Sequence, residues 1–211
     1  MEDVNEHNKA NEQKWDIWAR DGILDNGLRS FYFRYCQKSV ISIANLQRNA
    51  NFLDLGCGIG WAVCYAANLL KEQGNFVGID ISEGMIAKAK ESALSFKNVS
   101  FYKASSEELP LESNFFDSII CTNSFHHYLN PIKVLTEVKR ILKPKGRIYI
   151  LDATADNFLV KWLDGRERKK DKTHRGFYST VEYKNMSSQS GLKYIQWKPI
   201  MLLLKVQIAE K

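Results

Sequence analysis

From residue 51 onward, short apolar runs alternate with longer stretches in which apolar residues recur every three or four positions. Runs of the first kind suit strands buried on both faces, and spacing of the second kind suits helices packed along one side. On this reading Asn51–Gly56, Asn75–Asp80, Val99–Lys103, Phe115–Thr122 and Gly146–Asp152 are strands. Helices fall at Ile59–Lys71 and Ser82–Phe96, the second with Ser82 as its N-cap. Another starts at Asn130-Pro131, a cap residue followed by proline at the first helical position. Leu135, Val138 and Leu142 continue it, and Pro144-Lys145-Gly146 reads as a break before the next strand. Such alternation predicts an α/β domain with a parallel sheet and right-handed crossovers.

The two ends depart from this pattern. Residues 11–47 read as helices, and Leu28, Phe31, Tyr32 and Tyr35 share one face. The aromatic residues of this segment, Trp15, Trp18, Phe31, Tyr32, Phe33 and Tyr35, fit either packing on the core or a lid over a substrate; Phe33 lies off the main apolar face and is the best candidate for substrate contact. Near the C-terminus, Ser179 and Glu182 have capping-box spacing and should begin a helix ending near Gly191. Lys193–Lys198 and Met201–Ala209 then read as strands joined around Pro199, forming an antiparallel hairpin on the sheet edge. The expected organisation is an N-terminal helical cap over residues 1–48 and a core over 49–211, with an insertion at 156–178.

Composition narrows the class. The 211 residues are 45% apolar and 26% charged, within the globular range. The four cysteines form no CxxC pair and no His lies at zinc-finger spacing, so no metal site is predicted and reduced thiols are expected. With a polar N-terminal segment and no apolar run of spanning length, a cytoplasmic protein without a membrane span is expected. The net charge of +6 is modest and dispersed, which argues against a nucleic-acid partner. One stretch is denser: residues 161–175 carry seven Lys/Arg against three acids. A solvated loop is the plain reading; the sharper one has Arg166, Lys169 or Arg175 drawing in an acidic acceptor. Oligomeric state leaves no mark.

The chemistry concentrates at Asp54-Leu55-Gly56-Cys57-Gly58-Ile59-Gly60, at the end of the first predicted strand. Glycines there let the backbone turn sharply and approach a ligand, with a helix N-terminus behind it. The dinucleotide fingerprint GxGxxG would need glycine at 61, where Trp61 stands. Asp80 ends the second strand, where a carboxylate can accept from ribose hydroxyls. In this order the two motifs point to an adenosyl ligand.

With these motifs the chain resembles the class I S-adenosylmethionine-dependent methyltransferases of the small-molecule branch, which includes ubiquinone and menaquinone methyltransferases. The resemblance is carried by FLDLGCGIGW (52–61), VGIDISEGMI (77–86), SSEELPLESNFFDSIICTNSFHHY (105–128) and EVKRILKPKGRIYI (137–150). It implies a Rossmann-like, doubly wound sheet, mostly parallel with one antiparallel C-terminal strand and helices on both faces. It also implies S-adenosylmethionine as cofactor and S-adenosylhomocysteine as product. Asp54 and the loop Gly56, Cys57, Gly58 and Gly60 would meet the methionine end, together with Asn123. Asp80 would hold the ribose, with Ile81 and Met85 on the adenine face and Ser105, Ser106 and Glu107 at its edge. Ser105 stands where relatives often carry Asp, which removes charge assistance from that hydrogen bond.

The implied reaction is in-line methyl transfer to a small organic acceptor. His126 and His127 follow the fourth strand, where family acceptors lie, and either could act as a base or orient the acceptor. A structural role for the pair, fixing the loop, remains the alternative. Tyr32, Phe33 and His127 are the candidate acceptor contacts. Other readings are an RNA or protein methyltransferase, disfavoured because 123–128 reads NSFHHY without Asn/Asp-Pro-Pro-aromatic, and a non-catalytic cofactor-binding regulator.

Overall fold

The computed structural model describes residues 4–211; the first three residues of the expected cap lie outside the described residues. The chain begins with α1 (Val4–Arg20) and α2 (Gly27–Ala44). It then alternates β1 (Asn51–Leu55), α3 (Trp61–Leu69), β2 (Asn75–Asp80), α4 (Glu83–Ser92), β3 (Val99–Lys103) and β4 (Phe116–Thr122). After a 3₁₀ turn at Phe125–His127 come α5 (Pro131–Ile141), β5 (Leu142–Ala153), α6 (Phe158–Lys170), α7 (Thr180–Gln189), β6 (Lys193–Met201) and β7 (Leu204–Glu210).

The strands form one sheet in the order β3-β2-β1-β4-β5-β7-β6. β1 through β5 pair in parallel, whereas β7 runs antiparallel to both of its neighbours. This is the doubly wound, Rossmann-like arrangement with its reversed strand near the C-terminus. Side-chain alternation feeds two cores. Phe52, Phe76, Ile120, Tyr149 and Leu151 face α2, α3 and α4, while Leu53, Leu55, Ile119, Ile148 and Ile150 face α5 and α7. Burial on both faces explains why these strands read as unbroken apolar runs. Ser82 caps α4 by accepting from the Met85 amide, and Ser179 with Glu182 forms the complete capping box of α7.

Four expectations change. Leu28, Phe31 and Tyr35 face outward, while the Tyr32 hydroxyl reaches Asn123; α2 buries Ser30, Cys36, Val40, Ile41 and Ala44 instead, a stripe of smaller side chains that fits close to the sheet. The basic stretch is helical rather than a loop, because α6 runs from an Asn157 cap through Lys170. Pro144-Lys145-Gly146 does not break the strand. Leu142 already pairs with Phe116, and an irregularity with Lys145 at φ 67° carries the chain into regular pairing at Arg147. Pro199 lies within β6, and the hairpin turns after Met201, because Pro199 sits on an edge strand where its missing N–H is tolerated.

Candidate active site

The strand order reverses between β1 and β4, and the cleft opens there, beyond the C-terminal ends of the parallel strands. After Leu55 the chain enters α3 through three left-handed glycines, Gly56 (φ 78°), Gly58 (φ 52°) and Gly60 (φ 78°). The Gly56 and Cys57 amides both donate to the Ile79 carbonyl, at 2.8 and 2.9 Å, which ties the loop to β2. A Cβ at Gly56 would run into Ser124, and one at Gly60 would meet Phe101 at 2.6 Å and Ala89 at 2.9 Å. Gly60 therefore serves packing behind the loop, while Gly56, Cys57 and Gly58 line the cleft.

Asp80 fastens this cradle. Its Oδ2 accepts from the Gly58 amide at 2.8 Å and its Oδ1 from the Ser82 amide at 3.0 Å. Burial raises its pKa, and those backbone donors pull the other way. Each carboxylate oxygen still has a second lone-pair site directed elsewhere. Asp54 lies just behind the cleft, fully buried, and neither of its oxygens has a hydrogen-bond partner among the described residues. Burial, with the nearby Asp80 charge, pushes it up to about 8. An acid held at that edge of ionisation is suited to a cationic amine.

The rest of the cleft takes the predicted residues from several elements. Ile81 and Met85 line it from the β2–α4 junction, and Ser105, Ser106 and Glu107 from the segment after β3. The Glu107 carboxylate is engaged by Asn130, accepting from its amide at 3.1 Å and its side chain at 3.0 Å; it thereby takes the Asn130 side chain away from capping α5. Ser105 Oγ accepts from the Glu107 amide at 3.3 Å. Asn123, at φ 53°, accepts from the Tyr32 hydroxyl at 3.2 Å, and its buried Nδ2 has no hydrogen-bond partner among the described residues. The cleft holds about 1030 Å³ of empty space including its mouth, the scale of a small-molecule site.

A second cavity adjoins it, sharing Trp15, Phe33, Asn123 and His127 as common walls. Tyr32, His126 and Asp152 line this second space. His126 Nδ1 lies 2.7 Å from Asp152 Oδ1, and the His126 amide donates to Asp152 Oδ2 at 3.1 Å. With the carboxylate accepting from Nδ1–H, the ring's remaining lone pair is on Nε2. His127 is set differently. Its Nδ1 donates to the Thr173 carbonyl at 3.1 Å, and burial, reinforced by His126 and Lys14, holds its pKa well below that of an ordinary histidine. His174 is buried beside both, with its Nε2 2.7 Å from Asp164 Oδ1, and burial lowers its pKa. Among the described residues no cluster of His, Cys, Asp or Glu is placed to hold a metal ion.

Sequence reasoning missed Asp152, Arg34 and Gln37, each of which lines one of these spaces, while Trp15, expected as part of a lid, lines both. Asp152 carried a usable signal, as an acid at the C-terminal end of a strand in an α/β sheet. Arg34 and Gln37 sit on α2, whose position over the cleft is not written in its spacing. No helix among the described residues is long and apolar enough to cross a membrane.

Comparison with known proteins agrees with this geometry. The chain is 29% identical over 159 residues to the uncharacterized methyltransferase YcgJ of Bacillus subtilis (strain 168), covering 74% of this chain and 62% of that protein. It is 32% identical over 133 residues to the ubiquinone/menaquinone biosynthesis C-methyltransferase UbiE of Proteus mirabilis (strain HI4320), covering 61% and 53%. The chain thus spans just over half to three fifths of these curated relatives. A SAM-dependent methyltransferase of Aquifex aeolicus superposes with a TM-score of 0.68 at 25% identity, covering 82% of this chain and 88% of that one. The family described as methyltransferase domain matches residues 46–198, from just before β1 into β6, and the chain belongs to it.

Proposed function

We propose that the protein transfers the methyl group of S-adenosylmethionine to a small organic acceptor held in the second cavity. The observation that carries this reading is the pair of spaces meeting at Asn123, Phe33 and His127, one lined by the glycine loop and Asp80, the other by the His126–Asp152 pair. The cofactor brings a methyl group on a sulfonium, already a good leaving group, so positioning and exclusion of water supply much of the acceleration.

In this reading Asp80 accepts from the ribose hydroxyls while its bonds to Gly58 and Ser82 keep it oriented. Asp54, buried just behind the cleft, would supply negative charge toward the methionine ammonium, and Asn123 Nδ2, without a partner among the described residues, would donate to the methionine end. Ile81 and Met85 cover one adenine face, and Ser105 and Ser106 offer hydroxyls at its edge. His126 Nε2 removes the acceptor's proton, and Asp152 stabilises the imidazolium that results. His127 shapes the wall between the spaces; its depressed pKa makes it the poorer base. Tyr32 and Phe33 contact the acceptor, and α1 and α2 act as a lid.

Calorimetric titration tests the cofactor assignment. S-adenosylmethionine and S-adenosylhomocysteine should bind with one-to-one stoichiometry, and NAD should give no heat. Tight NAD binding with no response to either sulfur nucleoside would overturn the reading.

A further inference from the structure

We infer that α6, with the adjoining tips of α2 and the β6–β7 hairpin, is a docking face for an anionic lipid bilayer. The helix Phe158–Lys170 buries only Val160 and Asp164, so nearly its whole circumference faces solvent. At 100° per residue, Phe158, Leu159, Trp162 and Leu163 share one side of its first two turns. Phe158 is 83% exposed and Trp162 50%. Arg166, Lys169 and Lys170 continue that same side in the last turns, and the Arg166 guanidinium lies over the Trp162 ring at 4.8 Å. An apolar, aromatic half followed by a basic half on one side suits a bilayer interface. The rings and leucines enter the acyl boundary while the cations meet lipid phosphates.

The face extends beyond one helix. β5 ends at Ala153, which pairs with Leu204 at the start of β7, so the hairpin tip lies at the end of the sheet from which α6 departs. That tip exposes Met201 and Leu202, the latter at 93%. At the same end the Tyr32 hydroxyl reaches Asn123 just past β4, and beside it on α2 Leu28 is 89% exposed and Phe31 73%. Arg29, Glu167 and Leu204, one from each of these three elements, line the second cavity. The carboxylates that could repel a bilayer are engaged: Asp164 by Arg168 and His174, Asp171 by Lys14, Asp156 by Lys205, and Glu167 faces Lys170. The surplus of positive charge on the chain, +6, matches an anionic surface. A consequence, which does rest on the methyl-transfer reading, is that the acceptor is amphiphilic and enters the second cavity from the lipid side. Docking itself does not depend on that reading.

Co-sedimentation of the full chain with two kinds of vesicle tests the inference. The protein should bind vesicles of phosphatidylglycerol in phosphatidylcholine, leave them at high salt, and ignore pure phosphatidylcholine. F158S/W162S and, separately, K169E/K170E should each lower the partition coefficient at least about tenfold. Both variants should retain S-adenosylhomocysteine binding by calorimetry, because none of these side chains lines the cofactor cleft. Equal binding to both vesicles, no binding to either, or binding indifferent to all four substitutions would overturn the inference. So would concentration-dependent dimerisation that the same variants abolish without any vesicle binding, since the face would then belong to a second copy of the chain. A chain that binds vesicles but not the sulfur nucleosides would refute the cofactor reading and leave the docking face standing.

Discussion

Asp54 concentrates the electrostatic cost of this site. The unfolded chain loses that proton near 3.8 and the folded protein near 8. Between those values the native state holds a proton that the unfolded state has released, so Asp54 makes the ligand-free protein less stable as pH rises through the window. Asp54→Asn removes the titration, and its ligand-free stability should exceed that of the wild type increasingly from acid toward about pH 8. An ammonium beside the ionised acid reverses the trend for the complex. Wild-type affinity for S-adenosylhomocysteine should therefore strengthen from about pH 6 to about pH 8, whereas Asp54→Asn should bind at least about tenfold more weakly and with a flat profile. Urea denaturation and calorimetry at the two pH values check both statements; a flat wild-type affinity would remove Asp54 from the proposed binding role. If Asp152 prepares His126 as a base, His126→Gln should cut turnover by about 10²-fold or more while cofactor affinity stays unchanged. The assay uses any hydroxyl-bearing amphiphile found as an acceptor by screening, and an unaltered rate would return His126 to a structural role.

Among the elements, α1 does more than cover the cleft. Its Asp16 accepts from the Ser82 hydroxyl at 2.5 Å and the Gly84 amide at 3.0 Å, adding a carboxylate to the N-terminus of α4. Its Asn11 donates to the His127 carbonyl at 3.4 Å, and its Lys14 pairs with Asp171 at 2.5 Å beyond α6. With Glu12 accepting from Lys103 at 2.6 Å as well, the helix is pinned along its length by polar bonds, a mode of attachment that can open more readily than an apolar core. Asp16→Ala should cost about 1 kcal/mol in urea denaturation, as loss of a helix cap does. It should also speed amide exchange along α1 more than in β1 or β4. Uniformly faster exchange would mean that α1 is part of the core and not a separately opening lid.

For the whole molecule, the cleft lies at the strand-order reversal, with the β1 loop, β2, β4 and two N-terminal helices contributing to its walls. A ligand binding there stabilises all of these together. At about one hundred times its dissociation constant, S-adenosylhomocysteine should add about 2.7 kcal/mol, a rise in Tm of about 5–10 °C for a domain of this size. Differential scanning calorimetry reads it directly. NAD at the same concentration should leave Tm unchanged.

The sequence by itself determined the strand–helix alternation and the position of the glycine loop and Asp80. Both are local: the period of apolar residues reports burial, and a turn followed by a helix start needs glycine at fixed offsets. The capping box at Ser179 and the C-terminal hairpin were legible for the same reason. The outward turn of Leu28, Phe31 and Tyr35 was not, because an apolar stripe records that a face avoids water, not what covers it. The strand through Pro144–Gly146 was hidden because pairing of Leu142 with Phe116 and of Arg147 with Ser118 outweighed the local turn signal. Only the tertiary structure could join His126 to Asp152, 26 residues away, or bring Trp15 against His127. Contacts between elements far apart in the chain follow from how the layers stack, and no window of sequence contains both partners.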